Sequence, residues 1–145
     1  MPVAISERQH ALRIIGLALA ACEKGVQIIY ERNLRPAEKQ HEPWLARVTA
    51  QLLAACGALE SELRRKPLAV TSAAIDQAGI STAVAWHFTQ MMLPEVVDAT
   101  NYPALRALSA AAERLPEFTA APHGDSTFQS PRQKEPACRP MDSRN

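Results

Sequence analysis

Residues 13–25 read RIIGLALAACEKG, and the fold turns on whether this run is a leader or the body of a helix. Arginines at positions 8 and 13, a short apolar run and the sequence LAAC imitate a lipoprotein signal ending at Cys22. Two features oppose that reading. Glu7 sits among the positive charges, and Ser6-Glu7-Arg8-Gln9 has the S-x-x-Q form of a capping box that opens a helix. The apolar pattern also continues past the cysteine: Leu12, Ile15, Leu19, Cys22, Val26 and Ile29 recur at spacings of three and four, one face of a long helix. Ile14, Leu17, Ala21 and Ile28 lie off that stripe and form a second apolar surface. A helix apolar on two sides wants cover on both, since each exposed Ile or Leu forgoes about 1.5–3 kcal/mol of burial. Either a partner outside this chain covers the second face, or the bundle buries both.

Working outward, Pro36 and Pro43 interrupt the helical pattern in YERNLRPAEKQHEP. A second helix is predicted from about Trp44 to Arg65, with Leu45, Val48, Leu52, Cys56, Leu59 and Leu63 as its stripe, closed by Pro67. Asp76 is the expected N-cap of a third helix that carries Ile80, Val84, Phe88 and Met91 and stops before Pro94. A fourth starts at Pro103 and uses Leu105, Leu108, Ala112 and Leu115. Residues 1–5 form a short extension, 6–122 the helical domain, and 123–145, rich in Pro, Ser, Gln and charge, a tail expected to be disordered. The strand signal is close to nil. The fold class is all-α, an antiparallel helical bundle.

With 145 residues the chain has the length of one domain. Its 16 basic and 15 acidic side chains leave a net charge of +1 with no dense run of either sign, which argues against a nucleic-acid partner. With the signal reading set aside, no membrane segment is expected. Cys22, Cys56 and Cys138 show neither paired spacing nor an even count, which fits a reducing cytoplasm and packed core thiols, and excludes a zinc motif. His10, His41, His87 and His123 stand singly, so no metal site is expected. Trp86, Phe88, Met91 and Met92 are candidates to line a ligand pocket, but at helical spacing they read first as ordinary core. Glu31 and Arg35, at i and i+4, read as a helix-surface ion pair. No catalytic constellation is visible.

Taken in order, YERNLRP, WLARVTAQLLAACGALESEL, IDQAGISTAVAWHF and YPALRALSAAAERLPEF resemble the C-terminal all-helical domain of bacterial glutathione transferases, over residues 6–122. Glu31, Arg35 and Pro36 match the E-x-x-x-R-P element that closes that domain's first long helix. The resemblance implies a domain that normally follows a thioredoxin-like one, which binds glutathione and carries the thiol-activating residue. Nothing before Ser6 is expected to stand for that domain. No catalytic residue is therefore expected in this chain, and glutathione serves as co-substrate only where the thioredoxin-like domain is supplied. The helical domain would give a wall for the hydrophobic electrophile and much of a homodimer surface. His10, Ile14, Leu17 and Ala21 are the expected substrate-pocket or domain-interface residues. The alternative is a non-catalytic interaction or hydrophobic-ligand module, or a remnant of a truncated transferase.

The same resemblance places Asp76 at the N-cap of the central helix and Gly79 where a second, reciprocating aspartate belongs. Glycine costs roughly 0.8–1 kcal/mol against alanine inside a helix, and Gly79 has no side chain to return a bond to the cap. On this reading Gly79→Asp should raise the melting temperature.

Overall fold

The computed structural model describes residues 4–121, which form helices and turns with no strand among them. In chain order the helices are α1 (Ile5–Leu34), α2 (Glu42–Arg65), α3 (Gln77–Met92), α4 (Pro103–Ala112) and α5 (Pro116–Thr119). Short 3₁₀ turns at Ala37–Lys39 and Ala99–Asn101 lead into α2 and α4. The tail expected at 123–145 lies outside the described residues.

Side-chain pairs fix the directions of the helices. Arg13 meets Glu62 and Glu31 meets His41, so α1 and α2 are antiparallel. Arg32 pairs with Glu95 just past α3, while Glu60 meets Ala104 and Leu105 at the start of α4. The first three long helices therefore alternate up and down, with α3 packed on both α1 and α4. The core is built from Ile14, Ile28, Leu52, Cys56, Leu93, Val97 and Leu105, all essentially inaccessible.

The helix starts are tied by carboxylates. Asp76 accepts from the amides of Ala78 (3.0 Å) and Gly79 (3.2 Å), the local N-cap that the sequence predicts. Two others act from a distance. Buried Glu31 accepts the His41 amide at 2.9 Å through one oxygen and faces Arg35 at 3.2 Å through the other, clamping the end of α1 to the start of α2. It is therefore a buried clamp and not the surface ion pair that its spacing suggests. Buried Glu60 accepts from the amides of Ala104 and Leu105, each at 3.0 Å. These are orphan donors in the first turn of α4, and a carboxylate there also faces the positive end of the helix dipole.

Three sequence expectations change. The capping box at Ser6 does not form: α1 begins at Ile5, its N-cap is Ala4, and no side chain caps it. The inward face of α1 is Ala11, Ile14, Ala18, Ala21, Gly25, Ile28 and Glu31, whereas Leu12 and Leu19 are 52% and 61% exposed. Small residues win the inner face because they let α1 approach α3 closely. A Cβ at Gly25 would stand 3.3 Å from Phe88 Cε1 and 3.6 Å from Leu93 Cδ1. The same logic inverts α3, whose buried residues are Ala78, Gly79, Thr82, Ala83, Ala85, Trp86 and Thr89. Its larger residues Val84 and Met91 are 53% and 54% exposed. The buried Thr82 and Thr89 hydroxyls donate to the carbonyls of Ala78 (2.7 Å) and Ala85 (2.8 Å), so neither needs an outside partner. The predicted α2 stripe, by contrast, is buried throughout.

Gly79 is a buried N3 residue, and a Cβ there would lie 3.0 Å from Ile75 Cγ1, tighter than ordinary contact. Crowding thus opposes the gain expected from Gly79→Asp. The substitution is expected to be more favourable by about 1 kcal/mol in an Ile75→Ala background than in the wild type. Equal effects in the two backgrounds, measured by urea denaturation, would show that Ile75 yields freely. Glu60→Ala leaves the buried Leu105 amide and the part-buried Ala104 amide without their acceptor and is expected to cost about 2–3 kcal/mol; a loss below about 0.5 kcal/mol in the same assay would refute the capping role.

Candidate functional site

An apolar cleft of about 490 Å³ lies between α3 and the far end of the bundle. That volume is within the range of small-molecule pockets. Ile80, Val84, His87, Phe88 and Met91 form one wall, spaced so that they share the outward face of α3. Glu113 closes the end of α4, and Glu117, Phe118 and Ala121 supply the facing wall. The chain turns back there through amide bonds from Leu115 to Ala112 and from Thr119 to Leu115, which seat α5 beside α3. Ser72 donates to Glu117 Oε2 at 3.0 Å and steadies that carboxylate.

The walls are aliphatic and aromatic, and the polar groups stand among them as one imidazole and two carboxylates. His87 Nδ1 lies 3.7 Å from Glu113 Oε1, and both side chains are about one third exposed. Among the described residues, those lining the cleft carry no thiol, hydroxyl or amine. The arrangement suits holding an apolar molecule, with proton-accepting groups at its margin.

Sequence-predicted residues reach this cleft only in part. Phe88 and Met91 line it, Trp86 packs edge-on against Tyr102 in the core (centroids 5.6 Å apart), and Met92 is not among the lining residues. His10, Ile14, Leu17 and Ala21 lie on α1 and do not converge on it. Ile14 and Ala21 are core residues covered by this chain's own helices, which corrects their expected place on an outward face, and Leu17 is half-buried. His10 has its side chain about nine-tenths buried, with Nδ1 3.3 Å from Glu62 Oε2. Glu62 also pairs with Arg65 and, at 2.8 Å, with Arg13. Hydrogen bonding from Arg65, reinforced by Arg13, holds its carboxyl below the usual carboxylate range. His87, Glu113, Glu117 and Phe118 were not singled out as a group by the sequence. They are separated by a loop and a helix, and no spacing rule connects them.

The two described cysteines, Cys22 and Cys56, do not line the cleft. Burial raises the Cys22 thiol above its ordinary value and, with a smaller contribution from Cys22, pushes Cys56 up to about 11, so both stay protonated thiols. Among the described residues, no group of three or more His, Cys, Asp or Glu could hold a metal ion, and no helix is long and apolar enough to cross a membrane.

No protein-family model and no curated protein matches the sequence. Solved structures do. A glutathione transferase family member from Pseudomonas fluorescens Pf-5, with bound S-(propanoic acid)-glutathione, superposes with a TM-score of 0.71 at 26% identity, covering 86% of this chain and 63% of that one. A second crystal structure of such a family member from the same organism, with bound glutathione, gives a TM-score of 0.70 at 27% identity, covering 83% and 57%. The chain has the all-helical fold of the glutathione transferase C-terminal domain. It spans about six-tenths of the length of those transferase chains.

Within this transferase-type bundle the buried thiol has a measurable pH signature. Cys56 keeps its proton more tightly in the folded than in the unfolded chain. Its contribution is therefore complete below about pH 9 and is lost as the pH rises toward 11. The wild type is expected to lose on the order of 2 kcal/mol more stability than Cys56→Ala across that window. Parallel pH profiles from denaturant titrations would rule this out.

Proposed function

We propose that this chain acts as the hydrophobic-substrate half of a glutathione transferase, with the α3–α5 cleft holding the apolar part of the electrophile. The observation that carries this reading is the cleft itself, an apolar wall on the fold of proteins crystallised with glutathione and a glutathione conjugate. On this reading glutathione and its thiol-activating residue belong to a thioredoxin-like domain, and the helical bundle by itself is expected not to conjugate. The outward row of Leu12 and Leu19 on α1 gives the contact surface for that domain or for a second copy in a homodimer. Of the residues first assigned to such a surface, Leu17 and His10 keep partial access beside it. A reducing cytoplasm suits the two free thiols among the described residues. A second reading, a non-catalytic hydrophobic-ligand module, is favoured by the fact that both walls of the cleft come from this chain.

Two measurements test this assignment. In a conjugation assay with glutathione and a reactive aryl halide, the purified chain is expected to match the no-protein blank; turnover above it would overturn the dependence on a second domain. Nile red, a neutral apolar dye, is expected to saturate one site, with at least tenfold weaker binding to Val84→Asp. Loss of saturation in the wild type would remove the cleft from the assignment.

A further inference from the structure

Another pocket, of about 350 Å³, lies where the start of α1 meets the end of α2, lined by Ser6, Gln9, His10, Arg13, Arg65 and Lys66. The positive start of one helix stands beside the negative end of the other, so the side chains decide the character of the pocket. Glu62 gathers the cations. Its carboxylate accepts from Arg13 Nε at 2.8 Å and from Arg65 Nη2, so two guanidiniums from two helices share one negative charge. Lys66 Nζ stands 3.5 Å from Glu7 Oε1. Each guanidinium is a rigid fork of N–H donors, and the bonds to Glu62 engage one nitrogen of each. Both are mostly exposed, within reach of a solute. His10 lies beneath them. Its side chain is nine-tenths buried, and neither ring nitrogen has a hydrogen-bond partner. Nδ1 is 3.3 Å from Glu62 Oε2 but outside hydrogen-bonding geometry, and that oxygen already accepts from Arg65. Buried polar side chains are hydrogen-bonded in the large majority of cases, so an imidazole with two unmet nitrogens at the floor of a pocket calls for a partner that enters there.

We infer that this pocket binds the phosphate group of a small, soluble phosphomonoester. The phosphate oxygens lie between the forks of Arg13 and Arg65 with the Lys66 ammonium as a third cation, and a turn of the His10 ring brings Nε2 to one of them. Guanidinium forks match phosphate oxygens in pairs. A protonated imidazole donates from both nitrogens, one to the phosphate and one to Glu62. Cations set on two helices suit an anion whose oxygens point in several directions, as those of a phosphate do and those of a planar carboxylate do not. The volume exceeds that of a phosphate group alone, and Ser6 and Gln9 offer hydrogen-bonding groups to hydroxyls on the attached body. The pocket and the α3–α5 cleft share none of their described lining residues.

The test is calorimetric titration of the full chain with ribose 5-phosphate, with ribose as the uncharged control. Saturable binding of the ester is expected, at least tenfold tighter than that of ribose, with inorganic phosphate competing. The double variant Arg13→Gln with Arg65→Gln is expected to weaken it at least tenfold, and thermal melting checks that this variant is folded. Lys66→Gln, an exposed change that carries the test if the double variant does not fold, is expected to weaken it at least threefold. In nuclear magnetic resonance the His10 ring nitrogens are expected to shift with ribose 5-phosphate and not with ribose. Absence of saturable binding, equal binding of ribose, failure of inorganic phosphate to compete, an affinity unmoved by Lys66→Gln, or a complex that leaves the His10 resonances in place overturns the inference. Binding to phosphatidic acid vesicles without binding to ribose 5-phosphate overturns it too, in favour of a lipid headgroup. Nile red binding is expected to stay within twofold in the Lys66→Gln variant, so the proposed function and this inference stand or fall separately.

Discussion

Every long helix after the first begins on a carboxylate, and this constraint organises the bundle. Asp76 sits at its own helix, but Glu31 on α1 and Glu60 on α2 reach across to first-turn or cap amides of α2 and α4. A buried carboxylate is tolerated only when its lone pairs are filled, and here backbone donors fill them. The consequence is geometric. The end of α1 fixes where α2 starts, and the last turns of α2 fix where α4 starts, so the loops between them need no strong structure of their own. The cleft inherits this precision, because its two walls hang from α3 and from the end of α4.

The helices were legible in the sequence to within a few residues. Proline interruptions bounded α2 and α3, and Asp76 announced the start of α3 as it stands in the structure. Their faces were less legible. For α2, with large apolar residues on one side only, periodicity identified the inner stripe. For α1 it marked two faces, of which the second, with Ile14, Ala21 and Ile28, is the buried one; for α3 it chose the wrong side, since hydropathy favours Val84 and Met91 over alanine and threonine. Close packing reverses that preference: Ala18, Gly25, Thr82 and Ala83 are inside because a larger residue would hold two helices apart. The failed capping box at Ser6 has a simpler cause, a helix that starts one residue before the expected cap.

Of the site, the sequence picked out only Phe88 and Met91 as candidate lining residues that the cleft contains. What periodicity missed was the assembly of His87 with Glu113 and Glu117, because a contact across a loop and a helix leaves no local trace. The same holds for Glu60 and the α4 amides, 44 and 45 residues apart. The large side chains of α3 that were taken for core are the wall of the cleft, so the misassigned face and the unassigned pocket are one feature.

Phe88 touches both worlds. Its ring edge lies at the point where α1 has only the hydrogen of Gly25 to offer, while the residue also lines the cleft. The close packing of two helices and one wall of the cleft therefore share a single side chain. The glycine works as a gauge: by offering only a hydrogen at this point, it leaves the ring the room in which it sits.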